Sequence, residues 1–129
     1  MIKVNIIKNS QAPVSSVFVR SVLKKFLAKN GIVSDALVNV AIVTKPKMLK
    51  LAFDYLDEKD KPAHNVLAFT ANETRQNFVY PPEFIFLGEI VVCYPVGIEE
   101  AKKEGSTLDT KFEELITHGA LHLLGIHHK

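Results

Sequence analysis

A chain of 129 residues, 47% hydrophobic and 23% charged, is long enough to bury a core without staples and too apolar to stay disordered. Its single cysteine, Cys93, excludes an internal disulfide, and a net charge of +2 permits a nucleic-acid partner without demanding one. The apolar stretch in Met1–Lys8 is broken by Lys3 and Asn5, and no apolar run reaches membrane-spanning length. Neither a signal peptide nor a membrane span is therefore expected, and a cytoplasmic location is.

Ile2 to Ile7 alternates loosely and predicts a first strand. From Pro13 to Asn30 the apolar residues Val14, Val17/Phe18, Val22/Leu23 and Phe26/Leu27 recur at helical spacing, and Asn30-Gly31 supplies a stop. Leu37 to Val43 is short, apolar and β-branched, which suits a buried strand. Thr44 is placed to cap a helix whose apolar face is Met48, Leu51, Ala52 and Tyr55. Asp57 to Pro62 is a polar turn. His64–Phe69 and Phe84–Cys93 predict two more strands, and a short helix from Ile98 to Glu104 closes at Gly105. The last helix spans Leu108 to Leu124 and is apolar nearly all round from Leu115 onward, which predicts a buried helix. The order β-α-β-α-β-β-α-α implies one α+β domain over residues 1–129, a small mixed sheet packed with helices.

The chemistry concentrates at the end, in H-G-A-L-H-L-L-G-I-H-H-K from His118. His118 and His122 are four residues apart and stack on one helical face. Gly125 can take the left-handed conformation of a helix stop, and the reversal folds His128 toward the other two rings. A lone histidine on an apolar helix is more often a core residue than a ligand. The glycine and third histidine at these offsets turn the pair into a metal site on the C-terminal helix and following turn. Three neutral imidazoles with an open fourth position suit one catalytic Zn2+. They would suit nickel or iron as well. The spacing is that of H-E-x-x-H-x-x-G-x-x-H metalloproteases, but Gly119 stands where those have their glutamate base, which disfavours a protease. His127 reads as solvent-facing or as a support for the ligands, and His64 has no partner at ligand spacing.

The catalytic base is not readable. Glu89 interrupts the apolar strand Phe84–Cys93 and is one candidate, although a water-exposed carboxylate at a strand bend is the plainer reading. Glu113 and Glu114 suit the positive end of a helix. Lys45, Lys47 and Lys50 fit an RNA surface and equally the wet face of an amphipathic helix.

The terminal segment closely resembles the signature of the bacterial YbeY family, H-G-x-L-H-L-x-G-Y-D-H, matched from His118 to His128. Leu87-Gly88-Glu89-Ile90-Val91-Val92 is similar to the family's L-G-D-I-x-I strand, and Asn65 to Phe69 to its T-D/N-V-L-S-F strand. The resemblance implies a zinc-dependent endoribonuclease cutting single-stranded RNA, active in maturation of the 3′ end and quality control of small-subunit ribosomal RNA. Its partners would be ribosomal RNA and the small ribosomal subunit, with no membrane or DNA. His118, His122 and His128 would carry over as zinc ligands. The departures are the family's Y-R-x-x-D arginine, missing from Asp54-Tyr55-Leu56-Asp57, and Ile126 and His127 in place of tyrosine and aspartate. Lys59, Lys61 or Arg75 are the cations available to replace that arginine's phosphate contact. The alternative is a ribosome-associated zinc-binding factor without nuclease activity.

Overall fold

Hydroxyl side chains fix where three of the helices begin, and at Thr44 the cap also marks the end of the preceding strand. In the computed structural model, which describes residues 1–74 and 84–125, Ser15 Oγ accepts from the N–H of Phe18 at 3.4 Å. Thr44 Oγ1 accepts from Lys47 at 3.5 Å and Thr107 Oγ1 from Thr110 at 3.1 Å. Each satisfies a backbone donor that the first helical turn leaves unpaired. The elements in chain order are β1 (Ile2–Lys8), α1 (Ser16–Lys29), β2 (Ala36–Val43), α2 (Lys45–Leu56), β3 (Val66–Thr70), β4 (Ile85–Cys93), α3 (Tyr94–Glu104) and α4 (Leu108–Leu123).

The predicted order of elements is the observed one, with shifted boundaries. α1 starts at Ser16 rather than Pro13, because the cap is Ser15. α3 starts at Tyr94 rather than Ile98, directly after β4. Pro95 falls in its first turn, where a missing N–H breaks no helical bond. His64 lies ahead of β3, in the connection from α2, with its Nε2 2.6 Å from Glu58 Oε1.

The strands form a mixed sheet in the order β1-β2-β4-β3, with β1, β2 and β4 parallel and β3 antiparallel to β4 at one edge. Register slips between Leu37/Val38 and β4, which carries one extra residue there. Gly88 sits at this bulge with φ +139°, and a Cβ on it would lie 2.1 Å from the Phe69 carbonyl oxygen. Only glycine meets both demands. Beyond the bulge Ile90 and Val92 point to one face of the sheet, Glu89, Val91 and Cys93 to the other.

The first face holds the main core. There Leu23 and Leu27 of α1 and Phe112, Ile116 and Ala120 of α4 pack on Val38, Val40, Ile90 and Val92. The second face is covered by α2, through Met48 against Phe69, Val91 and Cys93. One expectation needs correction: α4 is not buried all round. Its buried stripe is Phe112, Leu115, Ile116, Gly119, Ala120 and Leu123, whereas His118 is exposed and His122 half-buried. Leucines at 121 and 124 made the sequence look fully apolar, but both remain partly open to solvent.

Among the described residues, Lys111 of α4 is the buried charged side chain, 4% exposed. Its Nζ lies 3.0 Å from Glu104, 3.3 Å from Glu100 and 3.3 Å from Glu114, tying α3 to α4. Burial alone would lower the ammonium's pKa, but hydrogen bonds to the three carboxylates outweigh it and hold the pKa above its ordinary value. Lys111→Ala should cost about 2 kcal/mol of unfolding free energy, and Lys111→Met less, since it keeps the buried stem. Urea denaturation checks both, and a neutral Lys111→Ala would show that the cluster does not fasten α4.

Candidate metal centre

His118 and His122 lie one turn apart on the border of α4's buried stripe, on the side facing the β3 edge. They open into a hollow of about 460 Å³ walled by β3, by Tyr55 and Leu56 at the end of α2, and by Glu73 after β3. The histidines reach this edge because Gly119 lets α4 come close to the sheet. A Cβ on Gly119 would lie 2.7 Å from Ile90 Cγ2 and 3.5 Å from Val66 Cγ2. No glutamate fits where the metalloprotease pattern puts its base.

Glu73 is the carboxylate that stands beside these histidines among the described residues. Its Oε1 accepts from the Thr70 N–H at 2.8 Å and lies 3.4 Å from His122 Nε2. The Thr70 N–H, above all, pulls its pKa below the ordinary value; slight burial opposes this, while the Thr70 side chain and His122 add to it. The sequence reading missed Glu73. The signal was there: Thr70-Ala71-Asn72-Glu73 has the spacing at which a glutamate reaches back to a threonine N–H.

Gly125 adopts φ +76° and donates its N–H to the His122 carbonyl at 3.0 Å, so the chain leaves α4 through the expected left-handed stop. His127 and His128 lie outside the described residues, as does Arg75. Within the described residues no three His, Cys, Asp or Glu side chains gather as a metal cluster. His118 and His122 nonetheless share one hollow with a fixed carboxylate beside them, a donor set that a third imidazole would complete for zinc.

Other candidates fall elsewhere. Glu89 is half-buried rather than exposed, and it faces α2, across the sheet from α4. It lines a separate small hollow, with Tyr55 and Phe69 bordering both spaces. Burial pushes its carboxyl up, opposed by Lys47. Lys45 is 2.5 Å from Glu99 and Lys50 is 3.5 Å from Asp54, so both already have acidic partners. Glu113 and Glu114 are exposed on α4, and Glu114 joins the Lys111 cluster. Where the Y-R-x-x-D pattern has arginine, Leu56 gives the histidine hollow an apolar wall. Lys59 sits 5.7 Å over the Phe53 ring instead, and Lys61 lines a different hollow from the histidines.

A family model described as Endoribonuclease YbeY matches residues 5–129. Endoribonuclease YbeY of Acinetobacter baumannii is 33% identical over 111 residues, covering 85% of this chain and 68% of that protein. Its counterpart in Stutzerimonas stutzeri is 44% identical over 69 residues, covering 51% of this chain and 39% of that one. The solution structure of TM1509 from Thermotoga maritima superposes with a TM-score of 0.60 at 25% identity, covering all of this chain and 75% of that one.

Two variants test this geometry. Gly119→Ala should cost about 1–2 kcal/mol of stability, overpacking less the gain in helix propensity. Ile90→Ala should then cost less in the Gly119→Ala background than alone, and strict additivity in urea titrations would contradict the close approach. The second variant is Glu89→Gln. The folded chain binds the Glu89 proton more tightly than the unfolded chain does, so stability falls as pH rises from the ordinary carboxylate range through the raised folded pKa. Glu89→Gln should remove that part of the fall and melt slightly higher at pH 7; an unchanged pH profile would place Glu89 in water.

Proposed function

The chain belongs to the YbeY endoribonuclease family, and on that premise we propose that it is a zinc-dependent endoribonuclease of single-stranded RNA. Its substrate in this reading is small-subunit ribosomal RNA, cut in 3′ end maturation and ribosome quality control, in the cytoplasm and with the small subunit as partner. Residues 1–129 act as one domain. No helix among the described residues is long and apolar enough to cross a membrane. The observation that carries the reading is the pairing of His118 and His122 in one hollow with Glu73 beside them.

His118, His122 and His128 would hold the ion, which when bound supplies a Lewis acid and a water whose pKa falls to about 7. Glu73, whose Oε1 accepts from the Thr70 N–H and lies 3.4 Å from His122 Nε2, would be the nearby carboxylate to accept a proton from an attacking water, its contact with that ring nitrogen giving way if the same nitrogen ligates the ion. This supplies a carboxylate from β3's end in place of the one Gly119 excludes. Tyr55 and Leu56 form the wall of the hollow at the end of α2, and Leu56 makes part of it apolar. Leu56 also favours the second reading, a ribosome-associated zinc-binding factor, since the wall lacks the family arginine that would grip phosphate.

Elemental analysis of purified variants should show most zinc lost from His118→Ala, His122→Ala and His128→Ala, with His127→Ala near wild type. Zinc lost from His127→Ala but kept in His128→Ala would reassign the third ligand. Cleavage of single-stranded RNA should fall at least about a hundredfold in His118→Ala and be abolished by chelator. Equal, metal-insensitive cleavage by wild type and variant would leave only the binding-factor reading.

A further inference from the structure

We propose that the outer edge of β3 is a nucleobase-binding subsite of the histidine hollow, where the backbone of Val66 and Ala68 hydrogen-bonds one base of a single-stranded RNA. The proposal rests on the nuclease reading of that hollow and names what it recognises in its substrate.

β3 pairs with β4 alone and ends the sheet, so half of its backbone groups have no strand beside them. Antiparallel strands alternate between residue pairs that exchange hydrogen bonds and pairs that do not. The Cys93 N–H donates to the Asn65 carbonyl at 2.9 Å. In the register Val66↔Val92, Leu67↔Val91, Ala68↔Ile90, the residues of β3 bonded to β4 are therefore Leu67 and Phe69. The N–H and C=O of Val66, Ala68 and Thr70 face outward. Thr70 confirms the direction: its N–H donates to Glu73 Oε1, and its carbonyl accepts from the Glu73 and Thr74 N–H groups. The outward groups of Val66 and Ala68 have no such partner among the described residues. At the opposite edge of the sheet, by contrast, Arg20 Nε donates to the Val4 carbonyl at 3.4 Å.

These unpaired groups lie in the hollow. Val66, Leu67, Ala68 and Phe69 all line it, although their side chains alternate between the two faces of the sheet, so the space runs along the strand edge. His118 and Gly119 of α4 stand over one face, and Tyr55 and Leu56 of α2 over the other. A flat ring that continues the plane of the sheet enters between these walls. Its edge meets the free N–H and C=O groups, and Tyr55 lies over one of its faces. Unpaired bases are bound in this way, by hydrogen bonds to their edges and contacts to their faces.

The dimensions and charge of the site favour a base over a peptide or a phosphate. Only Val66 and Ala68 remain free on the edge, a span of about 7 Å at strand spacing, because Glu73 closes it at Thr70. That length suits one base and is short for an added peptide strand, which pairs along a row of such groups. The β3 and α2 walls of the hollow carry no lysine or arginine, so they offer a phosphate no cation. The volume of about 460 Å³ lies within the roughly 300–1,000 Å³ of small-ligand sites.

Amide NMR spectra of the full isotope-labelled chain test the subsite without relying on catalysis. Adenosine, cytidine, guanosine and uridine are titrated in turn, with ribose 5-phosphate and a penta-alanine peptide as controls. At least one nucleoside should shift the Val66 and Ala68 amides, and neither control should. Ala68→Pro removes one outward N–H and no ladder bond, a change edge strands tolerate, and should weaken nucleoside binding about fivefold. In the zinc-loaded wild type, an abasic residue walked through a short single-stranded RNA should lower kcat/KM about tenfold at one position beside the cut. The spectra and the abasic series use the wild type, so they decide the matter even where the proline variant does not fold. Amides that no nucleoside moves, or an abasic series without position dependence, would overturn the subsite and leave the nuclease standing wherever RNA is still cut. Equal shifts with ribose 5-phosphate, shifts with penta-alanine alone, or nucleoside binding undiminished in a folded Ala68→Pro chain would also overturn it. Nucleosides that bind at these amides in a chain that cleaves nothing would remove the nuclease reading and keep the subsite.

Discussion

The close approach of α4 to the sheet at Gly119 is the constraint on which the rest depends. With Ile90 Cγ2 2.7 Å from where a Cβ would stand, helix and sheet meet at the limit of contact. That approach buries Ala120, Ile116 and Phe112 in the main core and sets His118 and His122 at its margin, over the β3 edge. A glycine where proteases keep a glutamate is therefore a packing requirement as well as a chemical absence. A carboxylate nonetheless lies beside the pair, Glu73 approaching His122 from the turn after β3.

Several weaker features hold this arrangement in place. Thr107 caps the start of α4, and Lys111 binds its second turn to α3 through three carboxylates. At the sheet, Gly88 admits the Phe69 carbonyl and Leu123 together, so the edge strand and the end of α4 both close on the same bulge. The glycines of the H-G and L-G-E segments thus do related jobs. One brings the helix down, and the other lets β3 and α4 crowd against β4.

The electrostatics divide along the two faces of the sheet. The α2 side carries the ion pairs Lys45–Glu99 and Lys50–Asp54 and a half-buried Glu89. On the other side, α4 bears the imidazoles and α1 a run of lysines without acids. Leu56 reinforces this division by leaving the wall between the α2 end and the histidines apolar.

Most elements were legible in the sequence because they rest on local physics. The apolar period of α1, the Thr44 cap, the glycine stop at Gly125 and the four-residue spacing of His118 and His122 depend on neighbours a few residues away. What failed to show depends on contacts between distant segments. The last helix reads as buried all round because hydrophobicity alone does not say which side of a helix finds a partner, and Leu121 and Leu124 stay partly open to solvent. Glu89 could not be placed, since the facing of β4 is fixed only when it bulges at Gly88 and pairs with β3, and the nearness of Glu73 to His122 depends on that same pairing. The sequence by itself determined the elements, their order and the histidine pair. Only the tertiary structure decided which carboxylate stands beside that pair, because sheet register and the α4 approach bring together residues some fifty positions apart, as the His122–Glu73 separation of 49 shows.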